Sequence, residues 1–217
     1  MVINKTRNGI FITGTDTGVG KTHVGARLIR SLVDQGIKVI PRKPVESGCS
    51  LEHDQLVPSD GMTLMSAAGL SDINAVTPYR FEPALSPPRA ATLSNKHLLM
   101  DQLVDTCQTK TEDFIVVEGA GGFLSPLSAD GLNADLAASL GLPVLLVVAD
   151  KLGCVNHCLL TLEAINNRGL NVAAVVLNRI EADKDGMDNL DEIERLSNIK
   201  VYPDSEIEQL ARQLIPS

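Results

Sequence analysis

Nine residues, Gly14-Thr15-Asp16-Thr17-Gly18-Val19-Gly20-Lys21-Thr22, separate the apolar run Gly9-Ile10-Phe11-Ile12-Thr13 from a stretch of helical periodicity. Small residues in that position let successive backbone N–H groups converge on one point, at the start of a helix whose dipole favours an anion. Lys21 adds a point charge for outer phosphates, and the Thr22 hydroxyl is a suitable Mg²⁺ ligand. The expected ligand is therefore a nucleoside triphosphate with magnesium. The usual pattern wants glycine five residues before Gly20, where Thr15 stands, and Gly14 lies one position further back. This reads as a P-loop carrying one extra residue. The alternative is a tight strand-to-helix turn without a ligand, and the Gly20-Lys21-Thr22 ending argues against it.

A strand feeding a helix through such a turn belongs in an α/β chain, and the rest of the sequence continues the alternation. Residues 9–13 form the first strand. The segment 22–35 carries Val24, Leu28, Ile29, Leu32 and Val33 at helical spacing and stops at Gly36. A short second strand follows at 38–44. Residues 114–118, 143–148 and 172–177 are continuous apolar runs, as expected of parallel strands covered on both faces. A last short run at 199–202 precedes Pro203 and an acidic helix. Between residue 44 and Phe114, Pro78, Pro83, Pro87 and Pro88 break any long element, so helices and loops are expected there. The fold class is α/β: three layers of P-loop NTPase type, a mainly parallel sheet with helices on both faces, in one domain spanning 1–217.

Composition narrows the partners. With 217 residues, 44% of them hydrophobic, the chain can bury one substantial core. A net charge of −8 without a Lys/Arg cluster argues against nucleic acid or an anionic membrane as a partner. No apolar stretch approaches the roughly 20 residues of a membrane span, and no signal peptide precedes the first strand, so a cytoplasmic protein with small-molecule ligands is expected. Cys49, Cys107, Cys154 and Cys158 contain no CxxC pair, and disulfides are not expected. Cys154, His157 and Cys158 have the spacing of a helical face, and core packing is the reading adopted over metal ligation.

In open parallel sheets, ligands collect at the carboxyl ends of the strands, and here each end carries chemistry. The first strand delivers the P-loop, the second ends in Lys43-Pro44-Val45-Glu46-Ser47-Gly48, and the 114–118 strand ends in Glu118-Gly119-Ala120-Gly121-Gly122. A carboxylate leaving a buried strand beside a P-loop suits a magnesium shell, although Glu118 could instead cap the following turn. Lys43 suits the neutralisation of a second anion, or a structural salt bridge.

Assembled in order, these segments resemble the dethiobiotin synthetases along nearly the whole chain. The resemblance rests on residues 13–22 (TGTDTGVGKT), 43–48 (KPVESG), Ser59-Asp60, Pro78-Tyr79 with Phe81, Ser86-Pro87, 117–122 (VEGAGG), Pro126-Leu127-Ser128 and 151–157 (KLGCVNH). Two positions depart from the family pattern: Pro88 stands where His is usual, and Gly18 where Glu is frequent. The match weakens after Ile180.

The resemblance implies an ATP- and Mg²⁺-dependent enzyme that acts on 7,8-diaminononanoate and CO₂ through a carbamate and a carbamic-phosphoric anhydride. It implies Thr22, Asp60 and Glu118 as magnesium ligands, and Lys21 and Lys43 as the cations that bring an anionic carbamate to an anionic phosphate. Thr17, Gly18, Val19, Gly20 and His23 would surround the phosphates, together with Gly119, Ala120 and Gly121. Asn178 and Arg179, with Val201, Tyr202 and Pro203, would form the base pocket. Ser47 and Asn156 would contact the diamine, Asn156 from a segment that reaches the other subunit of a homodimer. Rival readings are a ParA- or MinD-like ATPase switch, which wants a second lysine where Asp16 stands, a cobyrinic-acid-type amidotransferase, which needs a further domain, and a non-catalytic nucleotide-binding module.

Overall fold

The computed structural model describes residues 8–109, 113–179 and 188–215. The first strand, β1 (Gly9–Gly14), runs into the loop that opens α1 (Lys21–Asp34). A short strand β2 (Val39–Arg42) returns to the sheet. The excursion expected after it contains β3 (Val45–Ser47), a hairpin of β4 (Ser50–Glu52) and β5 (Gln55–Val57), α2 (Ser59–Ala67), α3 (Ile73–Val76), β6 (Tyr79–Phe81), α4 (Pro87–Leu93) and α5 (Met100–Thr106). The chain re-enters the sheet at β7 (Phe114–Gly122), turns through β8 (Pro126–Ser128) and β9 (Gly131–Leu132) into α6 (Asn133–Leu140), and continues with β10 (Val144–Ala149), α7 (Cys154–Asn166) and β11 (Val172–Asn178). It closes with α8 (Asn189–Ser197), β12 (Val201–Pro203) and α9 (Ile207–Leu214).

Six strands form one sheet in the order β12-β11-β10-β1-β7-β2, every neighbouring pair parallel. Side chains alternate across it. Phe11, Ile115, Val117, Leu146 and Val175 enter one core, together with residues of α4 to α8. Ile10, Ile12, Val116, Leu145 and Val176 enter the other, beneath α1, α2 and α9. The three-layer α/β fold expected from the sequence is therefore present. Strand order reverses at β1, which has β7 on one side and β10 on the other, and that reversal opens a crevice at the carboxyl ends.

Two boundaries differ from the sequence reading. The strand expected over 38–44 stops at Arg42: Lys43 N–H turns away from β7 and donates to Val76 O at 2.9 Å, and β3 instead pairs with β6 outside the main sheet. The strand expected over 114–118 continues to Gly122, with a bulge: Ile12 faces Glu118, whereas Gly14 faces Gly122. Gly119 to Gly121 stand opposite Thr13 alone, two residues more than a regular ladder holds, and border the crevice. Pro203 ends β12, an edge strand, where a missing donor costs little. Pro87 and Pro88 occupy the first turn of α4, so the Pro88 departure sits where proline is tolerated.

Candidate active site

The P-loop is held from both sides of β1. Thr15 N–H donates to Val147 O at 3.2 Å, and Phe123 N–H to Gly14 O at 3.1 Å. Gly18 (φ 74°) and Gly20 (φ 92°) take left-handed conformations that favour glycine, and Gly20 is the N-cap of α1. A Cβ on Gly20 would lie 1.9 Å from Asn178 Nδ2, which donates to Val19 O at 3.0 Å. The end of β11 thus braces the loop at its tightest point. Gly18 has open space around it, so its glycine answers to backbone conformation alone.

Below the loop lies a buried ionic network. Lys43 is 3% exposed, and its ammonium donates to Glu118 Oε1 at 2.6 Å, Asp60 Oδ2 at 2.8 Å and Gly119 O at 3.2 Å. The Thr22 hydroxyl donates to the same Glu118 Oε1 at 2.8 Å. Burial by itself pulls Lys43 toward neutrality, but the facing Glu118 and Asp60 outweigh it and hold the group above the ordinary lysine range. Burial also disfavours the Asp60 carboxylate, yet Lys43 keeps its pKa low. Lys21 behaves differently. Burial, and then the charge of Lys43, lower it from 10.5 to about 8, and its ammonium reaches Asp16 O at 2.9 Å. Both alternatives raised for Lys43 have a basis here, since it stands in a salt bridge and borders the cleft.

The cleft has a volume of ≈720 Å³. Thr17, Gly18, Gly20, Lys21, Thr22 and His23 line one wall. Lys43, Ser47 and Asp60 line the floor, with Ala120 and Gly121 opposite. Ser47 Oγ donates to Leu85 O at 2.6 Å, which ties the residue to the 84–87 segment at the rim. Glu118 and Val19 lie buried behind these walls, and Gly119 reaches the floor through its carbonyl. Asn178 touches the P-loop from below. Arg179 approaches Asp150, Nε to Oδ2 at 3.9 Å, on the β11 side. Val201 and Tyr202 are core residues, and the Tyr202 hydroxyl meets Gln213 of α9, leaving Pro203 as the partly exposed member of that stretch. Asn156 is exposed on α7, outside the cleft.

The donors fit a hard cation. Thr22 Oγ1, Asp60 and Glu118 are oxygen donors brought close together, and Glu118 Oε2 is buried without a hydrogen-bond partner. Among the described residues no group of three His, Cys, Asp or Glu could hold a metal. A bound ion would thus need the threonine hydroxyl and oxygens from outside the protein, which matches Mg²⁺ with its waters and phosphates. The four cysteines are buried thiols outside any disulfide, and Cys107, Cys154 and Cys158 pack in the core. No helix among the described residues is long and apolar enough to cross a membrane.

Sequence reasoning left three polar residues of the site without a role. Buried Asn133, at the start of α6, donates to Ala120 O and Gly122 O and accepts from Ala120 N–H, clamping the bulged end of β7. Ser125 Oγ accepts from Gly122 N–H at 2.9 Å. Glu46, inside the 43–48 motif, lines the cleft and accepts from the first turn of α2. The motif drew the eye to Glu46, but its partners lie fourteen and fifteen residues away.

A family model described as an AAA domain matches residues 8–211. The ATP-dependent dethiobiotin synthetase BioD of Vesicomyosocius okutanii is 38% identical over 209 residues, 95% of this chain and 94% of that protein. The protein of the same name from Anaeromyxobacter dehalogenans is 43% identical over 180 residues, covering 82% and 79%. Among solved structures, the MinC:MinD cell division complex of Aquifex aeolicus aligns with a TM-score of 0.56 at 16% identity, covering 96% of this chain and 87% of that one. A ParA family ATPase of Chlorobium tepidum gives 0.52 at 15% identity, covering 95% and 91%. At those identities the structural likeness shows the fold alone.

Proposed function

The chain belongs to the ATP-dependent dethiobiotin synthetases, and from that premise we propose how its residues share out the synthesis. The activity is an ATP-dependent ligation that forms carbon–nitrogen bonds in biotin biosynthesis. In our reading, one amine of 7,8-diaminononanoate attacks CO₂ and loses a proton to give a carbamate. A carbamate oxygen attacks the γ-phosphorus and expels ADP, forming a carbamic-phosphoric anhydride. The second amine attacks the carbonyl carbon, phosphate leaves, and a cyclic urea results.

The obstacle is repulsion between carbamate and triphosphate, so the site must supply preorganised positive charge. Lys21, rooted in the P-loop, faces the β- and γ-phosphates while the N–H groups of residues 17–23 hold them. Lys43, fixed in direction by Glu118 and Asp60, lies on the floor between the phosphates and Ser47, where the diamine binds. Thr22, Asp60 and Glu118 hold Mg²⁺, which neutralises phosphate charge when bound. Gly119, Ala120 and Gly121 line the transfer path. Asn178, Arg179, Val201, Tyr202 and Pro203 border the base, with contact made by Pro203 and backbone groups rather than the Tyr202 ring.

We also read the enzyme as a cytoplasmic homodimer, with no nucleic-acid or membrane partner. Leu152, 89% exposed, and Leu124, 52% exposed, are costly in water and suit a second copy of the chain. Asn156, in the first turn of α7 just after the turn that carries Leu152, would then reach substrate in the partner subunit.

The observation that carries the mechanism is the Lys43 ammonium, buried at the cleft floor and held by two carboxylates. The test measures ATP turnover and dethiobiotin formation with and without 7,8-diaminononanoate and bicarbonate. We expect ADP release to depend on both and to match product. Steady hydrolysis without the diamine would instead return the ATPase-switch reading.

A further inference from the structure

The nine-residue helix α2 carries Asp60 in its first turn, yet its N-cap is Pro58, which offers no side-chain acceptor. The orphan N–H groups of a helix start need partners. They find one far back in the chain. Glu46 Oε1 accepts from Asp60 N–H at 3.0 Å and from Ser59 Oγ at 3.3 Å, while Oε2 accepts from Gly61 N–H at 2.9 Å. Glu46 is 5% exposed, and its own strand β3 is tied to β6. The same turn is pressed from another direction, because a Cβ on Gly61 would lie 2.1 Å from Thr77 Oγ1. With the N–H groups of Asp60 and Gly61 both fixed, the backbone that carries the Asp60 carboxylate is held in place, and the carboxylate meets Lys43 Nζ at 2.8 Å with Thr22 beside it.

We propose that Glu46 is a positioning residue for the metal site: it caps α2 from β3 and thereby aims the Asp60 carboxylate at the point shared with Thr22 and Glu118. The proposal rests on the reading of Asp60 as a magnesium ligand. Both carboxylate oxygens are needed, since they accept from N–H groups of consecutive residues. An amide at this position presents one oxygen and one NH₂, and the NH₂ would face an N–H donor. A cap that served only stability would leave metal affinity untouched, whereas a group that orients a ligand typically controls it by roughly ten- to a hundredfold.

The test uses the full-length protein with ADP and measures Mn²⁺, a paramagnetic stand-in for Mg²⁺, by the loss of free-ion EPR signal. Glu46→Gln should weaken Mn²⁺ binding by roughly tenfold or more, with nucleotide affinity in the absence of metal within a few-fold of the parent. Glu46→Asp keeps the charge but withdraws the carboxylate by one methylene, and it should weaken Mn²⁺ similarly. It carries the test alone if the glutamine variant does not fold. Asp60→Asn should also weaken Mn²⁺, and Glu46→Gln added to it should bring little further loss, because the two act in one chain of contacts. A Glu46 variant that melts earlier yet binds Mn²⁺ like the parent reduces the residue to a stabilising cap and overturns the proposal. Fully additive losses overturn it too, since Glu46 would then act without Asp60. If Asp60→Asn alone leaves Mn²⁺ affinity unchanged, the ligand reading fails at Asp60 itself, and the proposal falls with it.

Discussion

The two halves of the crevice are built from different materials. On the β1, β2 and β7 side, buried Lys21, Lys43 and Glu118 crowd together with the partly exposed Asp60, and Lys43 is pinned by both carboxylates. On the β11 and β12 side the described residues offer one buried amide, Asn178, a core phenol, Tyr202, a proline, and an exposed cation, Arg179, near Asp150. Charge in low dielectric is directional and expensive to misplace, so the phosphate side is over-determined by its neighbours. A flat apolar base needs only a slot with a few backbone donors and acceptors. The comparison teaches that the chemistry is concentrated in side chains on one side, while the other half is shape.

The hardest strain on that comparison is Lys43→Gln. If the phosphate side works by preorganised charge, the variant should lose on the order of 10²–10³ in kcat, about 3–4 kcal/mol. It also leaves Glu118 and Asp60 without their shared cation. Mn²⁺ should therefore bind at least as tightly as in the parent while turnover collapses. Product formation within a few-fold of the parent would remove Lys43 from the transfer step, and weakened metal binding would make it a scaffold for the ligands.

Lys21 offers a smaller, graded test on the same side. Its pKa of about 8 lies below the ordinary 10.5 because of burial and then Lys43. A lysine is charged below its pKa, and bound phosphates favour the charged form, so nucleotide binding near pH 8 should draw in a proton. Affinity for ATP should fall as pH rises above about 8, approaching tenfold per unit. The stability of the ligand-free protein should move the other way. Between about 8 and 10.5 the unfolded chain holds the proton that the folded chain has lost, so the contribution of Lys21 to stability rises with pH through that window. Calorimetry in buffers of different ionisation enthalpy reads the proton directly, and binding with no proton taken up would contradict the depressed pKa.

This asymmetry also decided how much could be read in the sequence. The P-loop, the carboxyl ends of β1 and β7, and the residues of the charged cluster announce themselves because phosphate and metal chemistry demand particular side chains at fixed spacing. The alternation of apolar runs and helical faces was enough for the three-layer sheet. What stayed hidden depends on contacts between distant segments. Glu46 meets α2 through the fold of the excursion, and Asn133 clamps a bulge that an apolar run does not foretell. Lys43 reads as a strand-end cation for a second anion or a salt bridge, and its partners at 60 and 118 emerge only when three elements meet. On the base side, Tyr202 is expected in the base pocket only through the resemblance, and the pleat of β12 turns its ring into the core under α9.

Asn178→Ala probes the seam between the halves. Its amide is a brace on Val19 O, so removal should loosen the P-loop and weaken ATP by several-fold, roughly 1 kcal/mol. Equal losses for ATP and inorganic triphosphate would assign the effect to the loop. A loss confined to ATP would mean that Asn178 reads the base directly, and that the base side has more side-chain chemistry than the comparison grants it.

The smallest effect should come from Tyr202→Phe. The ring is 1% exposed and packs in the core shared by α1 and α9, and its hydroxyl meets Gln213. Losing that bond hands the amide oxygen of exposed Gln213 to water, so the cost is at most about 1 kcal/mol of stability and the melting temperature falls by no more than a few degrees. The phenol faces away from the crevice, so Kd for ATP should not move. Melting and ATP titration on the same preparation separate the two properties. A drop in ATP affinity with unchanged melting would require the ring to leave the core when nucleotide binds, and the base side would then owe its recognition to a moving aromatic rather than to a fixed slot.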